Sequence, residues 1–284
     1  MTQTAEQLLQ QGLFHHRQGQ IPLAMERYTE VLRNNPQNAE ALYYVAVVAC
    51  QEEQFQQGID LARRSLSFQR GQARAHNLIG QALHRLGKAK DALAAFDEAL
   101  ACDINFVEAY GNRANVLGEL GRRAEALSSY DRAVALRPES AVDWLNRGAL
   151  LQDLGRAEEA IASYDRVIAL DPDFAAVHVN RAGALGERGR WDEALAAYDR
   201  AIALDAKLAE AHLGRCFALG RLGRLEEALA GADRAIALKP DLAAAHKARA
   251  RALQGLGREA EARASLDAAG ALEAQPPAGL AKAP

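Results

Sequence analysis

Residues 107–140 read VEAYGNRANVLGELGRRAEALSSYDRAVALRPES, and the next 34 residues, 141–174, read AVDWLNRGALLQDLGRAEEAIASYDRVIALDPDF. Residues 175–208 repeat the pattern again. Self-similarity at a fixed period decides the architecture before any other signal, because each unit is too small to bury its own apolar face and must stack on copies of itself. Within 141–174 the unit splits into two amphipathic halves. Trp144, Arg147, Gly148 and Leu151 recur at helical spacing, and after Gly155 so do Ala160, Tyr164, Val167 and Ile168. Gly155 stands where the first helix must stop, since glycine alone takes left-handed backbone angles without strain. Pro172 ends the second helix, because a proline inside it would delete an amide donor and clash with the preceding turn. Gly148 and Ala160 are small enough to let the two helices approach closely.

The spacing W-x2-R-G-x2-L, then A-x3-Y, then P, resembles the tetratricopeptide repeat family, with arginine where that family more often has leucine. The resemblance implies an all-α fold, a right-handed superhelix of helix-turn-helix units. Stepping the register both ways from Gly155 gives eight tandem repeats in one array over 5–276: 5–38, 39–72, 73–106, 107–140, 141–174, 175–208, 209–242 and 243–276. The copy 39–72 is the weakest. Glu53 replaces the turn glycine, Gly58 the close-packing alanine and Arg70 the terminal proline, so low local stability is expected there. Residues 277–284, rich in proline and alanine, read as a disordered tail or linker. The last helix, Arg258 to Leu272, is expected either to act as its own cap or to dock a partner through its open end.

Composition narrows the function classes. Apolar residues make up 49% of the chain and aromatics only 6%, which suits packing through alanine and leucine. A net charge of −3 supplies no global basic field, so no nucleic-acid partner is expected. Cys50, Cys102 and Cys216 lack metal or redox spacing and read as incidental thiols. No signal peptide pattern opens the chain, and its longest apolar run is far short of a bilayer span, so a cytoplasmic protein without membrane insertion is expected. The stretch Gly80–Lys88 lacks phosphate-loop spacing, and neither H-E-x-x-H nor G-x-S-x-G occurs. Glu158-Glu159 and Glu226-Glu227 open second helices, where negative charge suits the dipole. No catalytic residue, cofactor or metal is expected.

By resemblance to the family, the first helix of each unit lines a concave groove, with its second, fifth, sixth, ninth, twelfth and thirteenth residues facing inward. The sixth position is asparagine in three consecutive repeats, Asn112, Asn146 and Asn180, with Asn77 and Asn115 nearby on the same face. A carboxamide offers one donor and one acceptor side, matching the backbone of an extended peptide. The repeat region of O-linked N-acetylglucosamine transferases is similar, with asparagines along its inner wall. The alternative is that these amides only solvate a helix face. Glu108, Glu119, Asp153 and Glu187 make the middle of the inferred groove acidic, and Leu145, Val179, Leu213 and Phe217 supply apolar contacts. Residues 107–208 carry more acidic than basic side chains, and 209–284 the reverse, with Arg221, Lys247 and Arg251 on the inferred face. No lysine is followed four residues later by asparagine there, so the chaperone-carboxylate clamp of some family members is not expected.

Two further ladders read as structure. Arg113, Arg147, Arg181, Arg215 and Arg249 recur beside Asp97, Asp131, Asp165, Asp199, Asp233 and Asp267, which predicts Arg–Asp bonds across helices. His76, His178, His212 and His246 take the place of Tyr110 and Trp144, as rings packed between helices; a one-dimensional stack does not converge four ligands on zinc. Three functions follow. The first is a non-enzymatic scaffold holding a protein or peptide segment. The second is the substrate-recruiting arm of a glycosyltransferase-like enzyme whose catalytic domain lies elsewhere. The third is a self-assembling scaffold, a homo-oligomer through the terminal repeats.

Overall fold

The computed structural model describes residues 3–274, and the tail expected at 277–284 lies outside them. The described residues form sixteen α-helices and no strand. The first helices of the eight hairpins are α1 (Ala5–Arg17), α3 (Ala39–Gln51), α5 (Ala73–Arg85), α7 (Val107–Glu119), α9 (Ala141–Asp153), α11 (Ala175–Glu187), α13 (Ala209–Arg221) and α15 (Ala243–Gly255). The second helices are α2 (Ile21–Asn34), α4 (Phe55–Phe68), α6 (Ala89–Cys102), α8 (Arg123–Leu136), α10 (Ala157–Leu170), α12 (Trp191–Leu204), α14 (Leu225–Leu238) and α16 (Glu259–Glu273). Each first helix begins at the first residue of its repeat. The last helix runs one residue later at both ends than the sequence suggests. The chain divides into two compact units, Met1–Pro138 and Glu139–Pro284, each containing four hairpins.

The hairpin turn is set by one backbone angle. Gly155 has φ +70°, and the equivalent glycines at 19, 87, 121, 189, 223 and 257 fall between +71° and +75°. In the weak copy Glu53 takes the same left-handed conformation at φ +59°, the single non-glycine residue among those described to do so. Local geometry therefore survives the substitution, at a steric cost of roughly 1–2 kcal/mol.

Close packing inside a hairpin rests on a small residue opposite an aromatic ring. A Cβ on Gly148 would stand 2.5 Å from Tyr164 Cε1, and one on Gly80 2.5 Å from Phe96 Cε1. Leu117, Leu151, Leu185, Leu219 and Leu253, at the eleventh position of five repeats, are fully buried, as is Ala160. Within each unit neighbouring hairpins also touch directly through their first helices, α3 with α5 and α7 with α5 in one, α11 with α9 and α13, and α13 with α15, in the other. The first helices α3, α5 and α7 thus form one wall, and α9, α11, α13 and α15 another.

The Arg–Asp ladder forms as the spacing suggests. Arg113, Arg181, Arg215 and Arg249 donate through Nε to Asp97, Asp165, Asp199 and Asp233 of the preceding hairpin at 2.6–2.7 Å. Arg113, Arg147 and Arg249 also donate to Ser129, Ser163 and Ser265 of their own second helix, each at 2.7 Å. One guanidinium then fixes three helices, using the fork geometry a lysine lacks. The histidines do more than pack. His178, His212 and His246 place Nε2 3.0–3.2 Å from the carbonyl oxygens of Pro172, Ala206 and Pro240, tying each first helix to the loop before it.

Candidate functional site

The inferred inward positions lie on the first-helix wall, and the structure sorts them by what their polar atoms already do. In the first unit Asn112 Nδ2 donates to Asn77 Oδ1 at 2.9 Å. Asn77 is buried, with 7% of its surface exposed. It joins α5 to α7 and has its acceptor filled. Asn115 is exposed, and its Oδ1 accepts the Tyr130 hydroxyl. In the second unit Asn146 on α9 and Asn180 on α11 are half-buried, and neither carboxamide makes a hydrogen bond among the described residues. These two keep both donor and acceptor unused.

The acidic groups are largely answered from within. Glu108 accepts from Arg137, Glu119 from His84 at 2.8 Å, and Glu187 from Gln152 at 2.6 Å. Asp153 has no such partner among the described residues, so the acidic middle read from the sequence is mostly compensated. Asp153 and Glu187 still act on Tyr164: burial first, then these two carboxylates, push its hydroxyl up to about 12. Leu145, Val179 and Leu213 are half-buried and Phe217 is 39% exposed, giving the second unit an apolar strip beside the two free asparagines.

Each unit also holds a recess on this wall. In the first, about 430 Å³ is lined by Val47, Cys50, Phe55, Leu78, Phe96, His84, Arg85, Asn112 and Asn115 among others. In the second, about 290 Å³ is lined by Cys216, Phe217, Gly220, Arg221, Leu225, Ala228, Ala248, Arg251 and Ala252. Both occupy the same register: positions nine, twelve and thirteen of one repeat with six, nine and ten of the next. Both also begin in a repeat that lacks a ring at its twenty-fourth position. The twenty-fourth position is Tyr28, Phe96, Tyr130, Tyr164 or Tyr198 in five repeats, Leu266 in the last, and Ala62 and Ala232 in these two. Where the tyrosine is present, its hydroxyl reaches the ninth or twelfth residue of the first helix, as Tyr130 does Asn115 and Tyr164 does Gln152. Where it is alanine, the ninth and twelfth residues, Val47 with Cys50 and Phe217 with Gly220, line a recess instead. Residue type alone does not mark these positions; the missing aromatic shows only against the sister repeats.

No group of histidine, cysteine, aspartate or glutamate side chains among the described residues is arranged to hold a metal ion. Cys216 is buried, and burial pushes its thiol up to about 11, so it is a poor nucleophile near neutral pH. No described helix is long and apolar enough to cross a membrane.

Residues 107–140 and 141–174 each match the tetratricopeptide repeat, and 184–223 a further model of the TPR repeat. The chain is a tetratricopeptide-repeat protein. Its residues 17–99 also match the model of anaphase-promoting complex, cyclosome, subunit 3. No curated protein matches this repeat protein in sequence. Among solved structures it resembles YrrB, a TPR protein with an unusual peptide-binding site, at 22% identity and TM-score 0.60, over 65% of this chain and 95% of that one. A tetratricopeptide repeat protein from Parabacteroides merdae matches at 18% identity and TM-score 0.62, covering 83% and 93%. Pseudomonas aeruginosa PilF matches at 19% identity and TM-score 0.59, covering 72% and 93%. At these identities the likeness is one of fold.

Proposed function

We propose that this tetratricopeptide-repeat protein is an interaction scaffold whose first-helix wall holds an extended segment of another protein, gripping the main chain. The observation that carries the reading is the pair Asn146 and Asn180. They occupy the same position on neighbouring first helices and are half-buried, yet their amides are unused. A half-buried carboxamide without partners loses hydration it does not recover internally, which favours a ligand that supplies both a carbonyl and an N–H. An extended peptide offers those groups at regular intervals, and the strip of Leu145, Val179, Leu213 and Phe217 gives its side chains apolar contact. The peptide-binding site of YrrB is a precedent for such use of the fold.

Random peptides displayed and selected on the full chain supply a ligand for the test. The variant N146A/N180A should bind a selected peptide about ten- to hundredfold more weakly, from roughly 1–3 kcal/mol of lost hydrogen bonding. Its melting temperature should stay within a few degrees of the parent, because neither amide holds the fold. N-methylation of the peptide backbone should cost as much as the double variant. An affinity unchanged in N146A/N180A rejects the asparagine grip.

A further inference from the structure

The recess between α13 and α15 combines two features that the other described wall positions do not bring together. Its floor is small and apolar, Gly220, Ala228, Ala248 and Ala252, in a repeat whose twenty-fourth residue is Ala232 where five sister repeats carry a ring. Its rim carries Arg221 and Arg251. Each guanidinium lies over an aromatic ring, Arg221 at 5.0 Å from the Trp191 centroid and Arg251 at 5.9 Å from that of Phe217. Neither forms an ion pair or hydrogen bond among the described residues, whereas neighbouring Lys247 is paired with Glu273 at 2.6 Å and the ladder arginines hold their aspartates. A guanidinium held over an aromatic face keeps N–H donors for an anion.

We propose that this recess is a side-chain socket that takes one aliphatic residue of the bound segment, with Arg221 and Arg251 holding an acidic residue adjacent to it. The inference rests on the peptide reading and adds its specificity. A volume near 290 Å³ is at the lower edge of small-molecule sites, roughly 300–1,000 Å³, and suits a side chain better than a free metabolite. Two positive charges without internal partners complement a carboxylate, and the apolar floor complements the residue beside it.

The test selects random displayed peptides on three full-length proteins. The parent should enrich Asp or Glu next to Leu, Ile or Val. R221E/R251E, altered only at exposed side chains, should exchange that acidic preference for Lys or Arg. C216A/A232Y rebuilds the combination already present as Ala114 with Tyr130 and Ala182 with Tyr198. It should fold with an unchanged or higher melting temperature and lose the aliphatic preference. With one selected peptide, R221Q/R251Q should bind at least about fivefold more weakly, and the loss should shrink in high salt. Peptides that depend on Asn146 and Asn180 but show no acidic preference, or keep it in R221E/R251E, overturn the socket while leaving the main-chain grip intact. No enriched peptide at all overturns both.

Discussion

At the scale of single residues, two positions separate backbone constraint from packing constraint. Glu53 holds a left-handed turn that glycine holds in the seven other repeats. Glu53→Gly should raise the melting temperature, by the relief of roughly 1–2 kcal/mol of steric cost less about 0.4–1 kcal/mol of added unfolded-state entropy. A lower melting temperature would mean that the turn carries no strain. Gly148 is constrained by the neighbouring ring. Gly148→Ala would bring a methyl to 2.5 Å from Tyr164, itself only 1% exposed, and should destabilise by about 1–3 kcal/mol in a denaturant titration. Gly148→Ala with Tyr164→Leu should recover part of that loss; an equal loss in the double variant would place the cost in the backbone. Both residues were legible in the sequence, because a turn glycine and a close-packing glycine recur at fixed offsets. The burial of Asn77 was not legible. Its side chain type fits a solvated face as well as a buried link, and only the position of Asn112 across the helix pair decides between them.

At the scale of the element, five second helices, α8, α10, α12, α14 and α16, begin with an arginine–glutamate pair. Arg122, Arg156, Arg190, Arg224 and Arg258 flank a helix start and donate through Nε to Glu125, Glu159, Glu193, Glu227 and Glu261 three residues on, each at 2.7 Å. These arginine bonds hold the glutamate carboxyls below their ordinary range. A carboxyl lowered on folding adds stability that is fully present above its unfolded value, near 4.3, and disappears as pH falls through the lowered folded value. Replacing the five glutamates with glutamine should therefore lower the melting temperature at pH 7, with the gap to the parent closing toward pH 3. The gap should also narrow in salt, since the pairs are exposed. A gap constant with pH would assign the effect to helix propensity. The Arg–Asp ladder, in contrast, was fully legible, because a charge repeated in every late repeat beside its opposite has a structural partner within the array. The two recesses were legible only as an absence, Ala62 and Ala232 where a ring is the rule.

At the scale of the whole molecule, the 34-residue spacing runs through 5–276 without a gap, and each first helix starts where its repeat starts. The division after Pro138 leaves no trace in that spacing and could not be read from it. The proposed wall was legible as a direction, the first helix of each repeat, whereas the internal partners of Asn77, Glu108, Glu119 and Glu187 were not. What stays open is the pair Asn146 and Asn180 and the recess beside Phe217. The most direct test follows the side-chain amide resonances of Asn146 and Asn180 by nuclear magnetic resonance while a selected peptide is titrated into the full chain. The account predicts that both NH2 pairs shift and become protected from exchange with water, together with backbone signals of α9, α11 and α13. Shifts confined to the second helices α10, α12 and α14, with both carboxamides unmoved at saturation, would contradict it.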